Sequence, residues 1–181
     1  MIADFRVLDD GGLRLRLLTD ADATWIAGAV AAGETCCLGP GPGPLSVKEA
    51  RAMIASWGRL RGEGRGLALA AQDERRRLVG LLVLQTAEPG DVEVAYWIAA
   101  AERGRGYATR AVGLVSRWLA GSPGVRRIWL ETDPANGASQ RVAEKAGFVY
   151  ERLARDHCAR DGVPHDCVIY ALPPSESHTT A

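Results

Sequence analysis

Leu13, Leu15 and Leu17 alternate with Arg14 and Arg16, and this period of two predicts a half-buried strand. Thr19 with Asp22 forms a helix-opening box, followed by a helix through about Ala32. Gly39-Pro40-Gly41-Pro42-Gly43-Pro44 is a loop, since proline lacks a donor and glycine loses entropy on ordering. Ser46-Val47-Lys48-Glu49 is a capping box that starts a helix to about Arg61, with Ala50, Met53, Ile54 and Trp57 on one stripe. Leu67 to Ala71, Leu78 to Leu84 and Val92 to Ile98 read as strands, separated by turns at Asp73-Glu74-Arg75-Arg76 and Pro89-Gly90-Asp91.

Ala108, Ala111, Val112, Val115 and Leu119 recur at helical spacing, and Gly121-Ser122-Pro123-Gly124 ends that helix. Ile128-Trp129-Leu130 reads as a short buried strand. The turn Asp133-Pro134-Ala135-Asn136 leads into a helix stopped by a glycine cap at Gly147. Two last strands flank the hairpin signal Asp161-Gly162. The order β-α-α-β-β-β-α-β-α-β-β is not the strict alternation of a doubly wound fold, so adjacent strands must pair antiparallel.

Between the strand ending at Ile98 and the helix starting at Ala108 lies Arg103-Gly104-Arg105-Gly106-Tyr107-Ala108-Thr109. The first N–H groups of a helix have no internal partner and favour negative charge. The glycines allow close backbone approach, and two arginines add forked donors. The segment is a candidate phosphate cradle.

The chain has 181 residues, 47% of them hydrophobic, and a formal net charge of zero. A single domain, 1–181, is expected, with a core over about 13–172 and a flexible polar tail at 173–181. Neutral charge argues against a general grip on nucleic acid. No apolar run approaches the ~20 residues of a membrane span, and Met1-Ile2-Ala3-Asp4-Phe5 lacks a signal-peptide pattern. A cytoplasmic protein is expected, with its four cysteines as reduced thiols. A cross-strand contact of Cys158 with Cys167 stays open. No metal site is indicated by the Cys and His spacing.

Three segments carry a family resemblance: Tyr96-Trp97-Ile98 with the Arg103 to Thr109 turn, the run Asn136 to Phe148 containing Asn136, Ser139 and Lys145-Ala146-Gly147-Phe148, and, more weakly, Asp161-Gly162 with Asp166 and Tyr170. The chain resembles the GNAT superfamily of acyl-CoA-dependent N-acyltransferases, and within it the Rim-type group of ribosomal-protein N-acetyltransferases. The order of elements agrees from about Leu13 to Leu172. The resemblance implies an α+β fold, with a twisted, mostly antiparallel sheet of about seven strands, a splayed parallel pair and about four flanking helices. It further implies acetyl-CoA as co-substrate, with its pyrophosphate on the backbone from Gly104 to Thr109, its pantetheine arm near Trp97 and Ile98, and a contact from Asn136. The acceptor would be an amine of a small molecule or a protein N-terminus. A homodimer is a family-level expectation.

Glu93 is the candidate base, since a carboxylate in an apolar cleft has its pKa raised towards the working range; a solvent-facing strand glutamate is the other reading. Glu131 and Glu34 are weaker candidates. Ser139 is the candidate donor to the leaving thiolate, against a helix-start serine that satisfies backbone groups. Many family members place a tyrosine four positions later for this task, whereas this chain has Ala143. Tyr96 and Tyr107 are fallback donors or packing residues. Lys145 reads as a helix-end cation. Trp25, Trp57, Trp118 and Trp129 fall on core positions. Loss of the tyrosine leaves one alternative of another class: a non-catalytic acyl-CoA-binding sensor.

Overall fold

The structure, a computed structural model, describes residues 2–31, 45–160 and 163–174. The loop Gly39 to Pro44, Glu34 and the turn Asp161-Gly162 lie outside these residues. Eight strands form one sheet in the order β1-β2-β3-β4-β5-β6-β8-β7. They are β1 (Leu8–Asp9), β2 (Leu13–Leu17), β3 (Gly66–Asp73), β4 (Leu78–Glu88), β5 (Asp91–Ile98), β6 (Arg127–Thr132), β7 (Val149–Arg160) and β8 (Val163–Ala171). The helices are α1 (Ala23–Ala31), α2 (Val47–Gly62), α3 (Tyr107–Ala120) and α4 (Gly137–Lys145). All pairings are antiparallel except β5 with β6. A parallel pair needs a crossover, which α3 supplies.

The sheet has eight strands against about seven expected, because the two-residue β1 pairs Leu8 with Leu15 and is too short to leave a periodic signal. The local signals for helix ends hold. Ser46 Oγ accepts from the Glu49 N–H while Glu49 Oε2 accepts from the Ser46 N–H. The Thr19–Asp22 box closes a 3-10 turn that runs on into α1, rather than opening the helix itself. At the end of α4, Gly147 has φ +93°. The Phe148 N–H donates to the Ala143 carbonyl and the Gly147 N–H to the Glu144 carbonyl, the paired bonds of a glycine C-cap.

Helices cover both faces of the sheet. On one face Val112, Val115 and Leu119 of α3, with Ala143 of α4, pack against Val92, Val94, Ile128 and Leu130. On the other, Ile26 of α1 with Ala50, Ile54 and Trp57 of α2 pack against Ala68, Leu81, Val83 and Trp97. Trp57 is buried, and Trp25 and Trp118 pack at the core margins. Trp129 departs from its expected core position: it is half-buried, with the Arg127 guanidinium 5.1 Å from its ring centroid. Cys167 is disulfide-bonded, which corrects the expectation of four reduced thiols.

Gly80 of β4 lies opposite Ile98 of β5. A Cβ there would be driven into the Trp97 carbonyl oxygen and would meet Ile98 Cδ1 at 2.6 Å. Because both contacts belong to the end of β5, Gly80→Ala should cost about 1–3 kcal/mol, measured as a lower Tm.

Candidate active site

The β5–β6 ladder is short. Asp91 pairs with Arg127, Val92 with Ile128 and Glu93 with Trp129, and there the pairing ends. Beyond that point β5 stays bonded to β4 as far as Ile98, and β6 to β8 as far as Thr132. The strands part, leaving the β6-side edge of β5 from Val94 to Ile98 without a ladder partner. Strand N–H and C=O groups are obligatory hydrogen-bonding groups, so this edge is a ready partner for an extended amide-bearing chain.

Past the end of β5 the chain turns into α3. Gly104 and Gly106 have φ of +77° and +78°, the left-handed region that favours glycine. A Cβ on either would find nothing within 4 Å, so both face open space. Gly106 is the N-cap of α3, which carries no side-chain cap. The first turn of α3 therefore presents backbone N–H groups to that space.

This turn is one wall of a cleft of about 610 Å³. Trp97 and Ile98 line it from β5. Arg103, Gly104, Gly106, Tyr107, Ala108 and Thr109 line it from the turn, and Asn136 and Ser139 from α4. Two predicted residues are not among those that line it. Arg105 is held in an ion pair, 3.0 Å, by Glu102, whose own side chain borders the cleft. Glu93 is not among the cleft-lining residues. Arg103 Nε also donates to the Ile98 carbonyl at 2.9 Å, tying the turn to the end of β5.

Asn136 caps α4, its Oδ1 accepting from the Ser139 N–H at 3.1 Å. The Ser139 hydroxyl is not spent on backbone. It lies 2.9 Å from the Tyr96 hydroxyl across the cleft. Burial pushes the Tyr96 phenol above its usual pKa, and the bond to Ser139 works against this. Ala143, four positions after Ser139, is fully buried in the core.

Alternation along β5 sends Tyr96 to the α3–α4 face and Glu93, with Trp97, to the α1–α2 face. Glu93 stands at the last paired position before the strands part. Burial pushes its pKa up to about 7, and the carboxylates of Glu131 and Asp91 push in the same direction. Asp91 is paired with Arg127 at 3.0 Å and Glu131 with His157 Nε2 at 3.3 Å.

A family profile for the acetyltransferase (GNAT) domain matches residues 12–149. The chain belongs to the GNAT family. It is 25% identical over 171 residues to the uncharacterised N-acetyltransferase YoaA of Bacillus subtilis (strain 168), covering 93% of this chain and 97% of YoaA. Its fold matches RimL, a ribosomal L7/L12 alpha-N-protein acetyltransferase solved with coenzyme A, at TM-score 0.81 and 19% identity, over 92% of this chain and 97% of that one. Mycobacterium smegmatis RimJ, solved with a CoA-disulfide, matches at TM-score 0.80 and 22% identity, over 92% and 84% of the respective chains.

In this GNAT protein the cleft has a further wall that the sequence reading did not use. Ala138, Arg141, Val142 and Lys145 line it from α4, at the three- and four-residue spacing of one helical stripe. Lys145 is therefore not only a helix-end cation. With Arg103 and Arg141 it brings three cations to the cleft against one carboxylate, Glu102, which Arg105 pairs, and an excess of positive charge suits a polyanion. The stripe was visible in the sequence as a spacing, but its mixed polarity hid it beside the apolar face of Ala143 and Ala146.

Two outcomes test this geometry. Gly106→Val forces a β-branched residue into left-handed backbone at a cost of about 1–3 kcal/mol and fills the cradle, so the CoA dissociation constant by calorimetry should rise about tenfold or more. Glu93 is raised in the fold above its value of 4.5 in an unfolded chain. Its favourable contribution is thus fully present below that value and lost as pH rises through about 7. Thermal melts should show Glu93→Gln gaining stability relative to the parent between pH 5 and pH 8.

Proposed function

We propose that this chain transfers an acetyl group from acetyl-CoA to a primary amine, by direct attack of the amine on the thioester. The observation that carries the reading is the joint arrangement at the parting strands. A phosphate cradle and a hydroxyl pair lie on one face of β5, and a carboxylate raised towards neutrality lies on the other.

Bound acetyl-CoA would supply an activated thioester. The N–H groups of the Gly104 to Thr109 segment hold its pyrophosphate, with positive charge from Arg103, Arg141 and Lys145. The free edge of β5 near Trp97 and Ile98 takes up the amides of the pantetheine arm, and an N–H on that edge steadies the developing oxyanion. Glu93, as carboxylate, accepts the proton of the attacking nitrogen. A base with a pKa near the working pH balances availability against strength. Ser139 donates a hydrogen bond to the departing sulfur. The acceptor class covers small-molecule amines and protein N-termini; the fold shared with RimL, whose name states a ribosomal protein as its substrate, supports including the latter.

Free CoA release should be followed with a panel of small amines and of peptides with free N-termini. Turnover with at least one acceptor is expected. In Glu93→Gln, turnover at neutral pH should fall, the rise of activity as pH increases through about 7 should vanish, and CoA affinity should stay near the parent value. Tight CoA binding without turnover across the panel would favour an acyl-CoA sensor.

A further inference from the structure

We infer that Tyr96 is a positioning residue for the leaving group. Its phenol donates to Ser139 Oγ and so commits the Ser139 proton to the sulfur that departs in the cleft. This rests on the acetyl-CoA reading above.

The geometry has three parts. Tyr96 OH and Ser139 Oγ are 2.9 Å apart, and both residues line the cleft. They come from different elements, β5 and α4, so the bond bridges the parted side of the sheet to the helix that lines the cleft. The Ser139 backbone is fixed separately by the Asn136 cap, which leaves its hydroxyl rotor as the remaining freedom.

A hydroxyl can donate one hydrogen bond and accept two. In the pair the phenol is the stronger acid, with a normal pKa of about 10, so it is the donor and the serine oxygen the acceptor. Burial, which pushes the phenol pKa further up, keeps that proton in place through neutral pH. The serine proton must then point elsewhere, and the open direction is the cleft. Hydrogen bonds in a chain polarise one another, so a serine that accepts from tyrosine is a better donor. In the transfer step the C–N bond forms and the C–S bond breaks. The proton from nitrogen leaves through Glu93 to solvent. The thiolate departs hydrogen-bonded to Ser139 and takes its proton from solvent. Tyr96 gives up no proton and needs no recharging.

The test needs no acceptor. CoA and desulfo-CoA, which lacks the sulfur, are titrated calorimetrically into the full chain, Ser139→Ala, Tyr96→Phe and the double variant, at pH 6.5 and pH 9. A free thiol titrates near about 8.5, so the thiolate is populated only at the higher pH. The parent should prefer CoA over desulfo-CoA by about tenfold more at pH 9 than at pH 6.5, the size of one hydrogen bond to a charged group. Ser139→Ala should abolish that gain, Tyr96→Phe should cut it about threefold, as the freed hydroxyl rotor spreads over three staggered wells, and the double variant should match Ser139→Ala. Desulfo-CoA should bind all variants alike, which separates positioning from a structural role. A full pH gain in Tyr96→Phe, multiplied losses in the double variant, or an equal loss of desulfo-CoA binding would overturn the inference. If neither ligand binds the parent chain, the acetyl-CoA reading itself fails.

Discussion

Everything at the site depends on β5 and β6 pairing for three residues and then separating. A fully zipped pair would satisfy the β5 edge internally and leave no path through the sheet. The separation follows from what each strand is bound to elsewhere. Antiparallel ladders hold β5 to β4 through Ile98, and β6 to β8 through Thr132. Each strand thus keeps its place beyond Glu93 and Trp129, while the edge of β5 that faces the gap is left without a ladder partner. The α3 crossover then delivers a helix N-terminus to the carboxyl end of β5, beside the gap.

The gap also explains why one strand can serve two chemistries. Successive side chains of β5 point to opposite faces. The even positions Val92, Val94 and Tyr96 meet α3 and α4, while Ala95 and Trp97 meet α1 and α2. Glu93 and Tyr96 therefore sit on opposite faces of the same strand, and on the proposed reading the gap between β5 and β6 is the route by which groups on the two faces would act on one bond. A slip of one residue would exchange the faces. Val83 opposite Ala95 and Leu84 opposite Val94 hold the register through apolar burial on both sides.

Much of this was legible in the sequence wherever the cause is local. The cap at Ser46 and the stop at Gly147 are set by one to four neighbouring residues, and they appear as read. What the sequence hid is what distance in the chain controls. Tyr96 and Ser139 are 43 positions apart, and neither residue type announces the other. Trp129 read as core because its neighbours Ile128 and Leu130 are core; its own face of β6 instead carries Arg127. Arg103 and Arg105 read as a pair of which at least one contacts phosphate, with nothing to choose between them. Glu102, three residues before Arg105, claims that guanidinium.

Glu93 shows why the surroundings of a carboxylate matter as much as its position. Two acidic neighbours could make the site a simple repulsive cluster, but each has a partner. Asp91 is held by Arg127, which also binds Glu151, and Glu131 contacts His157. Burial leads the causes of the Glu93 shift, with Glu131 and Asp91 behind it. A shift made by burial responds to a ligand in a useful direction. A cationic amine arriving beside Glu93 favours its charged form, because an opposite charge lowers a carboxylate pKa. On the proposed reading, the base would then be ionised by the approach of the group whose proton it is to take, and would return to the neutral form when the acceptor leaves.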